Sequence, residues 1–138
     1  MPFFGGITPP LGFPGLPGGD KYVANHVLND HVYCCQMSQD VCLGGEPPVS
    51  EKDKCKIFHE YKVGIRAKDA KRYGVPLIWS EFGACSNTES CFWEITNAAE
   101  EMDKHFHSYA YWMFKGFGDF TTTGGLVEGM YDGEGNLQ

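Results

Sequence analysis

The chain has 138 residues, 42% of them hydrophobic and 14% aromatic, which is enough for one modest globular core. Eleven Lys and Arg against 18 Asp and Glu give a net charge of −7 with no long basic block, and this argues against nucleic-acid binding, where phosphate contacts need clustered cations. No stretch approaches the roughly 18 consecutive apolar residues of a transmembrane helix, and Met1–Gly6 lacks the charged region of a signal peptide, so any export signal is expected outside this chain.

Residues 1–25 are rich in proline and glycine and show no periodicity. They read as a leading loop, and a structureless stretch of that length is uncommon in a compact domain unless it covers a site. A first strand is predicted at about 27–34, ending in Asn29-Asp30-His31-Val32-Tyr33-Cys34. His31 and Tyr33, two apart, then share one side of it. After the loop Gly44-Gly45-Glu46-Pro47-Pro48, Ser50 with Asp53 three residues on offers a helix N-cap. Ile57/Phe58, Tyr61, Ile65 and Ala70 recur near the helical period up to Tyr73, and Gly74 and Pro76 end the helix.

A second strand is predicted over Pro76 to Phe82, within which Ile78-Trp79-Ser80-Glu81-Phe82-Gly83 delivers a carboxylate to the strand end. A second helix at about 89–106 carries Phe92, Ile95, Ala99, Met102 and Phe106 on one stripe. A third strand at about 108–115 ends in Tyr109-Ala110-Tyr111-Trp112-Met113-Phe114-Lys115. The remainder, 116–138, is glycine-rich loop with a short strand or turn near Val127–Asp132.

The order β-α-β-α-β argues for crossover connections and a parallel sheet, in which ligands sit at the C-terminal ends of the strands. His31, Tyr33, Glu81, Trp112 and Lys115 all fall there. One carboxylate among an imidazole, a phenol and an indole makes a polar, aromatic-lined pocket of the kind that suits a sugar. His105 and His107, at a helix end where cations suit the dipole, read as structural. Gly5-Gly6 and Gly18-Gly19 lack the strand-loop-helix setting of a phosphate-binding loop. Three strands do not close a barrel and leave sheet edges open, so the chain is expected to be an incomplete piece.

Six cysteines (Cys34, Cys35, Cys42, Cys55, Cys85, Cys91) contain no C-x2-C pair, which disfavours structural zinc and favours disulfides in an oxidising compartment. Cys85–Cys91 and Cys42–Cys55 are the simplest local pairings, each stapling a βα loop. A secreted or lumenal setting, lysosome-like or extracellular, is therefore expected.

In their order and spacing these segments resemble the C-terminal half of a glycoside hydrolase family 5 barrel, closest to its endoglycoceramidase-like members. The matching residues are His31-Val32-Tyr33 for the sixth strand, Ser80-Glu81-Phe82-Gly83 for the seventh and Trp112 for the eighth. Cys34, Cys85 and Gly118-Asp119-Phe120-Thr121-Thr122 are similar to the endoglycoceramidase branch, and the resemblance covers about residues 11–138. It implies the C-terminal portion of a (β/α)8 barrel, about strands 6–8. The partial catalytic domain 1–138 then divides into a leading loop (1–25), a β-α-β-α-β body (26–115) and a loop tail (116–138).

By that resemblance Glu81 is the nucleophile of a retaining mechanism, His31 and Tyr33 orient it and contact the sugar, and Trp112 is the platform beneath that sugar. Lys115 is a further candidate substrate contact, for a polar headgroup or acidic sugar. No cofactor or metal is implied. The family's acid/base glutamate lies in an Asn-Glu-Pro motif, and this sequence has none; Gly45-Glu46-Pro47 is similar only superficially, since it follows the His-x-Tyr strand. The expected substrate is a carbohydrate or glycolipid, with a glycosphingolipid first and a β-glucan or mannan second. The apolar start of the chain (Phe3, Phe4, Ile7, Leu11, Phe13, Leu16) suits either a lipid tail or a buried contact with a missing half. An inactive carbohydrate-binding remnant, or a truncated gene model, is the remaining alternative.

Overall fold

The computed structural model describes residues 15–34, 49–83, 88–117, 129–132 and 134–137. A 3-10 helix, Asp20–Asn25, leads into β1 (Leu28–Val32). A short turn, Val49–Glu51, opens α1 (Lys52–Tyr73), followed by β2 (Leu77–Phe82), α2 (Glu89–Asp103) and β3 (Ser108–Tyr109). The three strands form one parallel sheet in the order β1-β2-β3. Sequential order with right-handed crossovers puts both helices on the same face. The buried core confirms that placement: Leu28, Val32, Leu77, Trp79 and Phe82 from the strands pack with Val63 and Ala70 of α1 and Ala98 and Met102 of α2. This α/β arrangement is compatible with part of a barrel.

Helix α1 ends as its sequence dictates. Gly74 takes φ 65°, ψ 33°, the left-handed conformation that glycine adopts without penalty, and its N–H returns to the carbonyls of Ala70 and Lys71. Its start differs from expectation: the cap position is Glu51, with no side-chain cap bond, and Ser50 lies in the preceding 3-10 turn. Helix α2 is capped by Thr88, whose hydroxyl accepts from the Cys91 N–H at 3.2 Å.

The apolar stripes expected on the helices are buried only in part: Ala70 of α1 and Met102 of α2 lie in the core, and Phe58, Ile95 and Ala99 pack against it. Ile57 and Tyr61 of α1 are exposed, as are Phe92 of α2 and Phe106 beyond its end. Beside Val63, Ala70, Ala98 and Met102, the inward faces also carry His59, Lys62, Arg66 and Asp69 on α1 and Glu94, Asn97 and Glu101 on α2. Polar groups tolerate such burial when they bond to one another, and most of these do. A helical apolar period read from sequence finds only part of the inner face when that face also holds a polar network.

The strap across this network is a disulfide between Cys34, just past β1, and Cys55 of α1, with Cα atoms 5.3 Å apart. It replaces the expected Cys42–Cys55 pairing, because the helix packs its Cys55 onto the end of β1. Cys91 is disulfide-bonded as well. Cys35, Cys42 and Cys85 lie outside the described residues, as do Gly118–Thr122 and residues 1–14.

The third strand is shorter than expected, but its line continues. The Ala110 N–H donates to the Trp79 carbonyl and the Trp112 N–H to the Phe82 carbonyl, both at 2.8 Å, and Gly83 bridges Trp112 in parallel. Farther on, Lys115 bridges Tyr131, so the tail returns beside this strand within the region where a short strand or turn was expected. Of the two histidines at the end of α2, His107 has a structural role other than complementing the helix dipole. His107 Nδ1 accepts from Trp79 Nε1 at 3.1 Å, and burial, with the His105 ring stacked beside it, lowers its pKa. His107 therefore serves as a neutral acceptor for a buried indole.

Candidate active site

The decisive local feature is an irregularity in β2. On the β1 side Asp30 pairs with Trp79, but His31 pairs with Glu81, skipping Ser80. On the β3 side Trp79 pairs with Tyr109 and Gly83 with Trp112, so four steps along β2 match three along its neighbour. Both flanks therefore place one extra residue in β2 at Ser80/Glu81, a β-bulge. Side chains alternate along a strand, and strict alternation from Leu77 and Trp79 would have carried Glu81 to the helix-covered face. The bulge reverses the parity. Phe82 takes the core position, and Glu81 goes to the opposite face.

His31 and Tyr33 of the first strand line reach that same face, since they alternate with Leu28, Asp30 and Val32. There the Tyr33 hydroxyl donates to Glu81 Oε2 at 3.0 Å, and His31 Nδ1 lies 3.3 Å from the same oxygen. The His31 and Glu81 side chains are 27% and 28% exposed, open enough to meet a ligand while held in place. A phenol stabilises a carboxylate by donating a hydrogen bond without bringing a competing charge. The imidazole can add a second donor from Nδ1, which fixes its tautomer.

Gly83 follows two residues on, at φ 96°, and a side chain there would overlap the Tyr111 ring. That ring packs edge-on against Phe82, with centroids 5.7 Å apart, and joins the core. Alternation from Tyr111 places Trp112, which is half-buried, on the Glu81 face at the level of Gly83. The peptide bond joining Trp112 to Met113 is cis. Lys115 lies farther along, its ammonium 5.5 Å from the centre of the Phe117 ring. The structure thus gathers His31, Tyr33 and Glu81 into one hydrogen-bonded group, pairs the Trp112 backbone with Gly83 just beyond Glu81, and directs Lys115 toward Phe117.

Three residues that sequence reading missed support this group from behind. Asp30, adjacent to His31, points to the helix side, where its Oδ2 accepts from Arg66 Nε at 2.7 Å. Lys62 Nζ sits 3.5 Å from Asp30 Oδ1 and donates to the His31 carbonyl. Burial pulls the Lys62 pKa below its usual value, and Asp30 opposes that pull. The available signal was two cations four residues apart on one helix face, downstream of an Asp-His pair.

Because Asp30 faces the helices and is already paired, it is not placed to act as a second carboxylate beside Glu81. Glu46, of the Gly-Glu-Pro sequence, lies outside the described residues. Among the described residues no group of three or more His, Cys, Asp or Glu is arranged to hold a metal ion. None of their helices is long and apolar enough to cross a membrane.

Over 99% of its length the chain is 26% identical to an endoglycoceramidase from Cyanea nozakii. The likeness is to a glycoside hydrolase. It is distant, and the chain spans 24% of that relative's length, so it indicates relatedness to glycoside hydrolases without assigning family 5. No family model matches the chain, and no solved structure does.

Proposed function

We propose that residues 1–138 are the C-terminal part of a retaining β-glycosidase built on a (β/α)8 barrel, with Glu81 as its nucleophile. The observation that carries this reading is the convergence of Tyr33 Oη and His31 Nδ1 on Glu81 Oε2, at the ends of parallel strands and on the face opposite α1 and α2. In this account Glu81 attacks the anomeric carbon, and the glycosyl bond to its oxygen replaces the bond to the leaving group. Tyr33 aims the carboxylate by donating to its Oε2. His31 holds the same oxygen from its other side and contacts the sugar, while Trp112 stacks beneath the ring and Lys115 meets a polar headgroup or acidic substituent.

The second carboxyl of such a mechanism stands about 5–5.5 Å from the first, protonates the leaving oxygen and then deprotonates water. The sequence offers no Asn-Glu-Pro strand to supply it. The proposal therefore places that residue in a longer chain, consistent with the span of the relative that is matched. The relative's name favours a glycosphingolipid as substrate, ahead of a β-glucan or mannan. The disulfide between Cys34 and Cys55 favours secretion or a lumenal site.

The test has two parts. The 138-residue chain alone is expected to leave aryl β-glycosides intact, and steady turnover by it would refute the assignment of a separate acid/base. In the longer chain, Glu81→Gln is expected to lower kcat by about three orders of magnitude or more with little change in substrate affinity. Unchanged turnover would remove Glu81 from the chemistry.

A further inference from the structure

The register of β1 against β2 breaks between Asp30 and His31, the point at which the sheet passes from its core-forming part to the carboxylate group. A ladder break leaves backbone groups to be satisfied by other means and leaves the following residues free to pair in more than one way. Here the break is held from the helix side. The His31 N–H donates to Asp30 Oδ1 at 2.8 Å, and the His31 carbonyl accepts from Lys62 Nζ. Both main-chain polar groups of His31 are thus engaged by one cluster. That cluster is anchored in turn, since Arg66 bridges Asp30 at 2.7 Å and Asp69 at 2.5 Å. Lys62, Arg66 and Asp69 are each 5% exposed, and with Asp30 their formal charges sum to zero.

We infer that Asp30 and Lys62, braced by Arg66, are positioning residues, which lock the His31 backbone so that its imidazole presents Nδ1–H to Glu81. This deepens the proposed function, since it assigns the machinery that aims the nucleophile's partner. The physical reason lies in leverage. A surface-facing imidazole swings freely about its backbone, whereas one whose N–H and C=O are both fixed has its Cα–Cβ direction set. Glu81 sits opposite in the pairing, so a small rotation of the His31 peptide carries Nδ1 out of hydrogen-bond range. A buried, charge-balanced cluster that only joined α1 to the sheet would affect stability and leave the imidazole indifferent. One that positions His31 affects its tautomer.

The experiment reads that tautomer directly, without substrate, by ¹⁵N imidazole spectroscopy of the longer chain that contains these residues, at about pH 8, where an ordinary histidine is neutral, with the His31 signals assigned by their loss in His31→Gln. The wild-type protein is expected to hold His31 mainly as Nδ1–H. Lys62→Met, which keeps the aliphatic stem but removes the donor, is expected to shift the Nδ1–H to Nε2–H ratio about fivefold or more toward Nε2–H. Asp30→Asn, which keeps shape and loses charge, is expected to act in the same direction and carries the test should Lys62→Met not fold. Arg72→Met, on the same helix over the Tyr73 ring, is the control and leaves the ratio unchanged.

A folded Lys62→Met or Asp30→Asn protein with the wild-type ratio, however much less stable, would overturn the inference. So would a wild-type His31 held as Nε2–H. Neither result bears on whether Glu81 is a nucleophile, which the Glu81→Gln kinetics decide separately.

Discussion

His31 stands directly opposite Glu81 in the pairing of β1 with β2, and its Nδ1 lies 3.3 Å from the carboxylate oxygen that also accepts from Tyr33. This pairing exists because β2 carries one residue more than either neighbour. The extra residue turns Glu81 from the helix-covered face to the open one. Sequence position alone would have left the carboxylate under α1 and α2.

Tyr33→Phe keeps the ring and removes the donor to Glu81. The loss expected is about 1 kcal/mol of stability, the net worth of one hydrogen bond. In a Glu81→Gln background the same substitution is expected to cost measurably less, because the charged acceptor is gone. Denaturant unfolding of the four proteins in this cycle checks it. Equal costs in both backgrounds would show that the two groups do not interact.

His59 is fully buried between the helices, with its Nδ1 2.8 Å from Asn97 Nδ2, and burial together with nearby Lys62 lowers its pKa to about 4. The folded state therefore prefers the neutral ring, while the unfolded chain takes up a proton near 6.5. Stability from this residue is fully present above pH 6.5 and is lost as the pH falls toward about 4, by about 3 kcal/mol in total. Unfolding measured at neutral and mildly acidic pH is expected to show a steeper acid loss in the wild type than in His59→Gln. Parallel pH profiles would contradict the burial of a neutral imidazole.

The Cys34–Cys55 bridge spans a sequence separation of 21 residues, and loop closure of that size is worth about 3 kcal/mol. The double substitution Cys34→Ala/Cys55→Ala is expected to lower stability by that order. It is also expected to loosen the segment carrying Tyr33, which adjoins Cys34. Hydrogen exchange of the β1 amides checks the second effect, and unchanged protection there would show that the strap does not hold the strand end.

The order of elements was legible because its punctuation is local. Gly74 has the left-handed backbone that ends α1, Pro76 follows it, and apolar runs mark β2 and the start of β3. The grouping of His31, Tyr33 and Glu81 was legible from strand ends and from resemblance to a family. The bulge was not, because Ser80 carries no residue type that announces one. The polar part of the inner helix faces was missed for a related reason. Lys62, Arg66 and Asp69 look like solvated charges until Asp30 is known to point at them, and a contact between distant segments leaves no periodic trace. Cys55 pairs with Cys34 through that same packing, which sequence spacing does not encode.

The most direct measurement of the central claim is covalent trapping. A longer chain that joins these residues to an acid/base strand is treated with a 2-deoxy-2-fluoro β-glycoside bearing an activated leaving group, and the labelled peptide is sequenced. Glu81 is expected to carry the sugar as an ester, with labelling abolished in Glu81→Gln. A glycosyl ester on another carboxylate, or hydrolysis that continues with no ester at all, would contradict the assignment.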